Sequence, residues 1–285
     1  MKVIAAAALL GASLAMPALA APPEHITVTR GDAHLEVLAQ GKGPAIVLLP
    51  SLGRGATDFD DIAERLANAG FRVLRPEPRG IGQSKGPWQN VKLEDLAADV
   101  AAVIESDNSG PAFVVGHAFG NRVARTLATL RPDMVRAVGL IAANVGRNPS
   151  PPDVRAAIRM SADTSAPDDA RVKAMQFVFF APGSDARVWL DGWHPEVLAA
   201  QRIVGDLTPR TIDYAAGRAP VLYIQPSHDP LAHVEDAEEY RRALGDRVTV
   251  VVIPNSAHAV IVEQPEAVST ALIAYARTLW PSARR

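Results

Sequence analysis

Apolar residues fall into two alternating patterns from about residue 25 onward. Ala45–Leu49 and Ala112–Val115 are unbroken apolar runs, the signature of strands buried on both faces. Asp58–Ala69 instead places Phe59, Ile62, Ala63 and Leu66 at helical spacing, and Gly70 follows as a stop. The same reading gives strands over Phe71–Leu74, Val135–Ala142, Val221–Ile224 and Val248–Ile253. It gives helices over Leu93–Ile104, Asn121–Leu130, Glu235–Leu244 and Pro265–Leu279. His25–Thr29 and His34–Leu38 flank Gly31-Asp32 and predict an opening hairpin. Strands alternating with helices imply a mostly parallel sheet covered on both faces. The rhythm lapses over residues 145–217, a stretch rich in Pro, Asp, Arg and Ala. Phe177, Phe179, Phe180, Trp189 and Trp193 cluster in its second half, which predicts an inserted helical cap.

Composition narrows the chemistry. The 29 Lys+Arg against 31 Asp+Glu give a net charge of −2, which argues against a nucleic-acid surface. With no cysteine, disulfides, thiolate metal sites and a thiol nucleophile are all excluded. The scattered histidines suggest no zinc site, and no metal or organic cofactor is implied.

Residues 1–20 read as a cleaved signal peptide. Lys2 supplies a positive start, Val3–Ala15 is apolar, and Ala18-Leu19-Ala20 offers small residues for cleavage. The run is too short for a full membrane span. A mature domain over 21–285, periplasmic or secreted and free of the membrane, is the expectation.

The segment Phe113-Val114-Val115-Gly116-His117-Ala118-Phe119-Gly120-Asn121 predicts a buried strand, a tight turn between glycines, and an immediate helix. It resembles the nucleophile elbow, G-x-S-x-G, of the α/β-hydrolases. Three further segments are similar to that family in order and spacing. Glu77–Ser84 resembles its D-x-R-G-x-G-x-S turn, Gln225–Asp229 its acid-bearing turn, and Asn255–His258 its histidine turn. The resemblance implies a three-layer α/β fold with about eight strands and a cap between the sixth and seventh. It implies Asp229 as orienting acid, His258 as base, and the N–H groups of Leu52 and Phe119 as oxyanion donors. The oxyanion loop Pro50-Ser51-Leu52-Gly53-Arg54-Gly55 lacks the family's common His-Gly, which leaves backbone donors intact.

Ala118 occupies the position of the serine nucleophile, and it has no atom that can form an acyl-enzyme. Four readings remain open. The His–Asp pair could activate water directly on a small ester- or amide-like substrate, as in family members similar to the aminoacrylate hydrolases. The same pair could drive a lyase-type reaction. The chain could be a serine hydrolase inactivated by a Ser-to-Ala change. It could also be a non-catalytic protein that binds a small ligand. Each makes a small molecule the partner.

Other residues carry weaker expectations. Ser51 and Ser84 are possible substitute nucleophiles, read here as satisfying local turns. His117 reads as a packing or hydrogen-bonding group, Glu77 and Arg79 as an ion pair bracing their turn, and Arg54 as a solvent-facing loop arginine. Asn121, Arg122 and Arg125 read as packing and solvation of their helix. His228 reads as pointing into its loop and His194 as a polar contact of the cap. The cap aromatics either line a pocket or pack the cap down.

Overall fold

The computed structural model describes residues 21–145, 150–209 and 213–281. The expected signal peptide, residues 1–20, lies outside the described residues, as do parts of the expected cap at 146–149 and 210–212.

Eight strands form one sheet in the order β1-β2-β4-β3-β5-β6-β7-β8. They span Glu24–Arg30 (β1), Ala33–Gln40 (β2), Ala45–Leu49 (β3), Arg72–Pro76 (β4), Ala112–His117 (β5), Val135–Ile141 (β6), Val221–Pro226 (β7) and Val248–Ile253 (β8). β1–β2 and β2–β4 pair antiparallel, and the other pairings are parallel. The opening hairpin therefore adds an antiparallel edge to a parallel sheet.

Helices cover both faces. Asp60–Asn68 (α1) and the late helix Pro265–Leu279 pack on one side; Leu93–Asp107 (α2), Phe119–Leu130 (α3) and Val234–Leu244 pack on the other. Strand alternation feeds both cores: Val114 of β5 enters the core under α2 and α3, while Phe113 and Val115 enter the opposite one. Phe59, Ile62 and Leu66 are fully buried, and each contributes roughly 1.5–3 kcal/mol by leaving water.

The expected elements are present with shifted ends. A 3₁₀ turn at Ala56–Phe59 precedes α1. α2 runs one turn past the last apolar residue and stops at Asn108, whose φ of 52° is the left-handed cap that asparagine tolerates.

Between β6 and β7 lie the helices Pro152–Ala162 (α4), Asp168–Val178 (α5) and Pro195–Leu207 (α6). The remaining helices are numbered α7 (Val234–Leu244), α8 (Val260–Glu263) and α9 (Pro265–Leu279). A third apolar cluster joins Met175, Phe179, Trp189, Trp193 and Leu198 of the insertion to Leu231 and Ala259 of the main body. No helix among the described residues is long and apolar enough to cross a membrane.

Candidate active site

The C-terminal ends of β3, β5, β7 and β8 converge beneath the cap, where an open α/β sheet offers its binding crevice. β5 ends in His117, and the chain turns through Ala118 into α3. Ala118 has φ 46° and ψ −109°, a conformation a non-glycine residue adopts at a cost of about 1–3 kcal/mol. The flanking glycines make the turn feasible. A Cβ on Gly116 would fall on the backbone of Gly120 and Asn121, and one on Gly120 would meet the carbonyls of Leu49 and Pro50. The Ala118 N–H donates to the Ile141 carbonyl (3.0 Å), and the Asn121 side-chain amide donates to the Ala118 carbonyl. Local contacts thus hold the strained turn.

Asp229 follows β7, and its Oδ1 accepts from the N–H groups of Leu231 (2.8 Å) and Ala232 (3.1 Å). Its Oδ2 lies 2.9 Å from His258 Nδ1. Both side chains are buried. This contact places the His258 proton on Nδ1 and leaves the Nε2 lone pair free. The His258 ring packs against Phe179 at 5.7 Å and His117 at 5.4 Å. His117 Nε2 lies 2.7 Å from the His258 carbonyl and donates to it, so His117 is the hydrogen-bonding support that was expected. Complete burial pushes its pKa down to about 3, which keeps it neutral.

Ala118 and His258 line one cavity of about 210 Å³ with Ser51, Leu52, Phe119 and Phe179. Water's share of liquid volume is about 30 Å³, so the space admits water together with a small ligand. Leu52 and Phe119 both reach this cavity, and neither backbone N–H has a hydrogen-bond partner among the described residues. Phe119 is also the first residue of α3, whose N-terminal N–H groups favour a developing negative charge. The residues expected from the sequence at 52, 118, 119, 229 and 258 therefore meet at one place.

Several other expectations are corrected. Arg54 is not solvent-facing. It is 3% exposed, bonds Asp58 through two nitrogens (2.9 and 2.5 Å), and stacks on Trp189 and Trp193 at 4.6 and 4.9 Å. Glu77 and Arg79 do not pair with each other. Arg79 is bidentate to Asp99 (2.7 and 3.0 Å), while Glu77 accepts from the Ala56 N–H at 2.8 Å. Burial raises the Glu77 pKa to about 6. Arg122 and Arg125 do not solvate their helix; both face the buried Asp213, at 2.9 and 3.5 Å. Phe179 and Trp193 line the cavity, Phe180 and Trp189 pack the cap, and Phe177 is exposed.

The two serines separate. Ser84 donates to the Glu77 carbonyl and accepts from the Glu36 N–H, both at 2.9 Å, the local role expected of it. Ser51 differs: it lines the cavity, and its hydroxyl has no hydrogen-bond partner among the described residues. His228 contacts Ser227 within its own loop (2.8 Å). His194 contributes its backbone N–H to the Gly53 carbonyl (2.9 Å).

Two supporting residues escaped the sequence reading. Glu263 accepts from the N–H groups of Ala257 (2.7 Å) and Ala181 (2.8 Å), tying the histidine turn to the cap. Gln201 of α6 accepts from the Gly53 N–H at 2.7 Å. Gln201 and Gly53 stand 148 positions apart, and no local pattern marks such a contact.

A mostly parallel sheet whose strand ends present a glycine-flanked elbow, an acid and a histidine in that order defines an α/β-hydrolase-type protein. Residues 44–265 match the model of the alpha/beta hydrolase fold family, and the chain belongs to that family. The chain is 35% identical over 106 residues to epoxide hydrolase B of Mycobacterium tuberculosis, covering 36% of this chain and 29% of that protein. It is 32% identical over 108 residues to 2-(acetamidomethylene)succinate hydrolase of Mesorhizobium japonicum, covering 38% of each. The matches thus span about a third of those curated relatives. Among solved structures, an esterase from Thermogutta terrifontis superposes with a TM-score of 0.74 at 22% identity, covering 90% of this chain and 99% of that one. The enol-lactonase from Burkholderia xenovorans gives 0.73 at 22% identity, covering 89% and 99%.

Proposed function

We propose that this protein hydrolyses a small ester- or amide-like substrate by direct attack of water, without an acyl-enzyme. The observation that carries the reading is the His258–Asp229 contact of 2.9 Å, with His258 lining the same cavity as Ala118. A binding protein has no chemical need for an imidazole oriented in this way.

In the proposed reaction, water sits above the Ala118 methyl group, in space that a serine hydroxyl would fill. His258 Nε2 takes one proton as the water oxygen bonds to the substrate carbonyl carbon. The carbonyl π electrons move to oxygen, and the Leu52 and Phe119 N–H groups receive the oxyanion. Asp229 fixes the imidazole tautomer and stabilises the imidazolium. The tetrahedral species then collapses, the bond to the leaving group breaks, and His258 returns the proton to it. Hydrolysis by named relatives, on an acetamidomethylene compound and on an enol lactone, supports carbonyl substrates of this size.

The test is turnover of short-chain aryl esters and anilides by the purified protein, beside His258→Ala, Asp229→Asn and Ser51→Ala. Turnover that collapses in the first two and survives in the third supports water as nucleophile. Collapse in Ser51→Ala as well as in the first two would transfer the nucleophile to Ser51, whose proton His258 would take. Equal rates in all four proteins would sink the reading. We also propose that residues 1–20 direct export and are removed. N-terminal sequencing of the protein recovered outside the cytoplasm should then begin near Ala21.

A further inference from the structure

We propose that Gln201, carried on the cap, is a positioning residue for the oxyanion loop, so that the cap builds the catalytic site as well as enclosing it. The inference rests on the hydrolytic reading above.

The Arg54 N–H bonds to the Ser51 carbonyl at 3.2 Å, closing a four-residue turn with Leu52 and Gly53 at its centre. Two amide N–H groups of that turn, those of Leu52 and Gly53, find no acceptor within it. The cap takes one of them: the Gly53 N–H donates to Gln201 Oε1 at 2.7 Å, and both ends of this contact are buried. The other, on Leu52, has no acceptor among the described residues and lies at the cavity where an oxyanion would form.

The cap fixes the rest of the turn as well. The Gly53 carbonyl accepts from the His194 N–H at 2.9 Å. Arg54 Nη1 donates to the carbonyls of Trp189 (3.3 Å) and Asp191 (2.6 Å). Gly53 has φ +66°, and a Cβ there would stand 2.6 Å from Leu198 Cβ, so the turn lies directly against α6. Removing the Gln201 acceptor would leave the Gly53 N–H buried and unpaired. The turn would then rotate to relieve it, carrying the adjoining Leu52 amide away from the oxyanion position. Such a change acts on the transition state and leaves ground-state binding almost untouched.

The experiment compares the full protein with Gln201→Met, which keeps side-chain length without an amide acceptor, and Gln201→Glu, which keeps the acceptor. Amide hydrogen exchange at Gly53 reads the contact, and steady-state kinetics on the ester panel read its consequence. Titration with phenylphosphonate, a tetrahedral anion, reads the hole without turnover. For Gln201→Met we expect Gly53 exchange to speed up at least ~10-fold, with protection restored by Gln201→Glu. We expect kcat to fall ~10- to 100-fold with KM within about twofold, short of the loss from deleting an oxyanion donor outright. Unchanged Gly53 exchange, or a loss confined to KM, overturns the proposal. Absence of turnover in the unaltered protein defeats the hydrolase reading instead. The positioning role is then read on phenylphosphonate affinity, expected to weaken at least ~10-fold in Gln201→Met. Equal affinity, or none in either protein, overturns it.

Discussion

Ala118→Ser adds one oxygen at the site where the structure is otherwise arranged for a serine hydrolase. The backbone there already has φ 46° and ψ −109°, so the substitution adds no new strain. The Cβ borders the cavity that His258 lines, and the Asp229–His258 contact at 2.9 Å is already in place. Folding stability should therefore change by less than about 1 kcal/mol, as for a substitution that creates neither cavity nor unpaired charge. The kinetic effect is bounded by what a serine is worth in an intact triad. Removing it alone from a well-studied protease costs about 2 × 10⁶ in kcat, close to 9 kcal/mol of barrier. A serine placed in this site is expected to recover only part of that. We expect a gain of at least ~10² in the rate of aryl alcohol release from activated aryl esters, about 2.7 kcal/mol. The assay is stopped-flow release of aryl alcohol, with mass spectrometry of protein treated with an organophosphonate. A burst approaching one equivalent, and one covalent phosphonyl group on residue 118, is the expected outcome. No burst and no adduct would refute the reasoning, because His258 would then not be aligned on the elbow side chain.

Two titrating groups predict an unusual acid profile. Neutral His117, with its pKa near 3 when folded and 6.5 as a free group, binds fewer protons than the unfolded chain between those values. Its contribution therefore falls by about 1.4 kcal/mol for each pH unit lost below 6.5. Glu77 has the opposite sign: raised from 4.5 to about 6, it favours the folded state as pH drops through that interval. Denaturation midpoints should be nearly level from pH 6 to 4.5 and fall below it, and His117→Phe should flatten the lower limb; an unchanged limb would count against the assignment. Arg54→Met should cost about 3–5 kcal/mol by leaving Asp58 buried without its partner. That is a drop of roughly 6–20 °C in melting temperature for a domain of this size, measurable by calorimetry, and a loss under 1 kcal/mol would show that the cluster does not bear on stability.

Local rules made much of the fold legible. Apolar runs marked β3 and β5 because a strand covered on both faces needs no polar positions. The elbow was readable from Gly116 and Gly120, since only residues without Cβ allow the strand and helix to touch there. Asp229 and His258 were readable through the resemblance of Gln225–Asp229 and Asn255–His258 to the family's acid and histidine turns, and the structure places the two turns after β7 and β8.

What the sequence left undecided concerns residues whose meaning depends on distant partners. Arg54 looked like a loop cation, and only the packing of Trp189 and Trp193 over it, 135 or more positions away, made it a buried clamp. Glu77 and Arg79 are near neighbours of opposite charge, yet the fold hands them to Ala56 and Asp99 because their side chains diverge from the turn. Gln201 carried no signal, since a glutamine on a helix becomes a positioning group only when a loop amide is brought against it. The elements and their order were thus set by covalent geometry and by the periodicity of burial, which act within a few residues, while Asp229 and His258 were marked only by the resemblance of their turns to the family's motifs. The partners of the buried charges and the shape of the cavity were decided by tertiary packing, because those contacts exist only once segments far apart in the chain have been closed on one another.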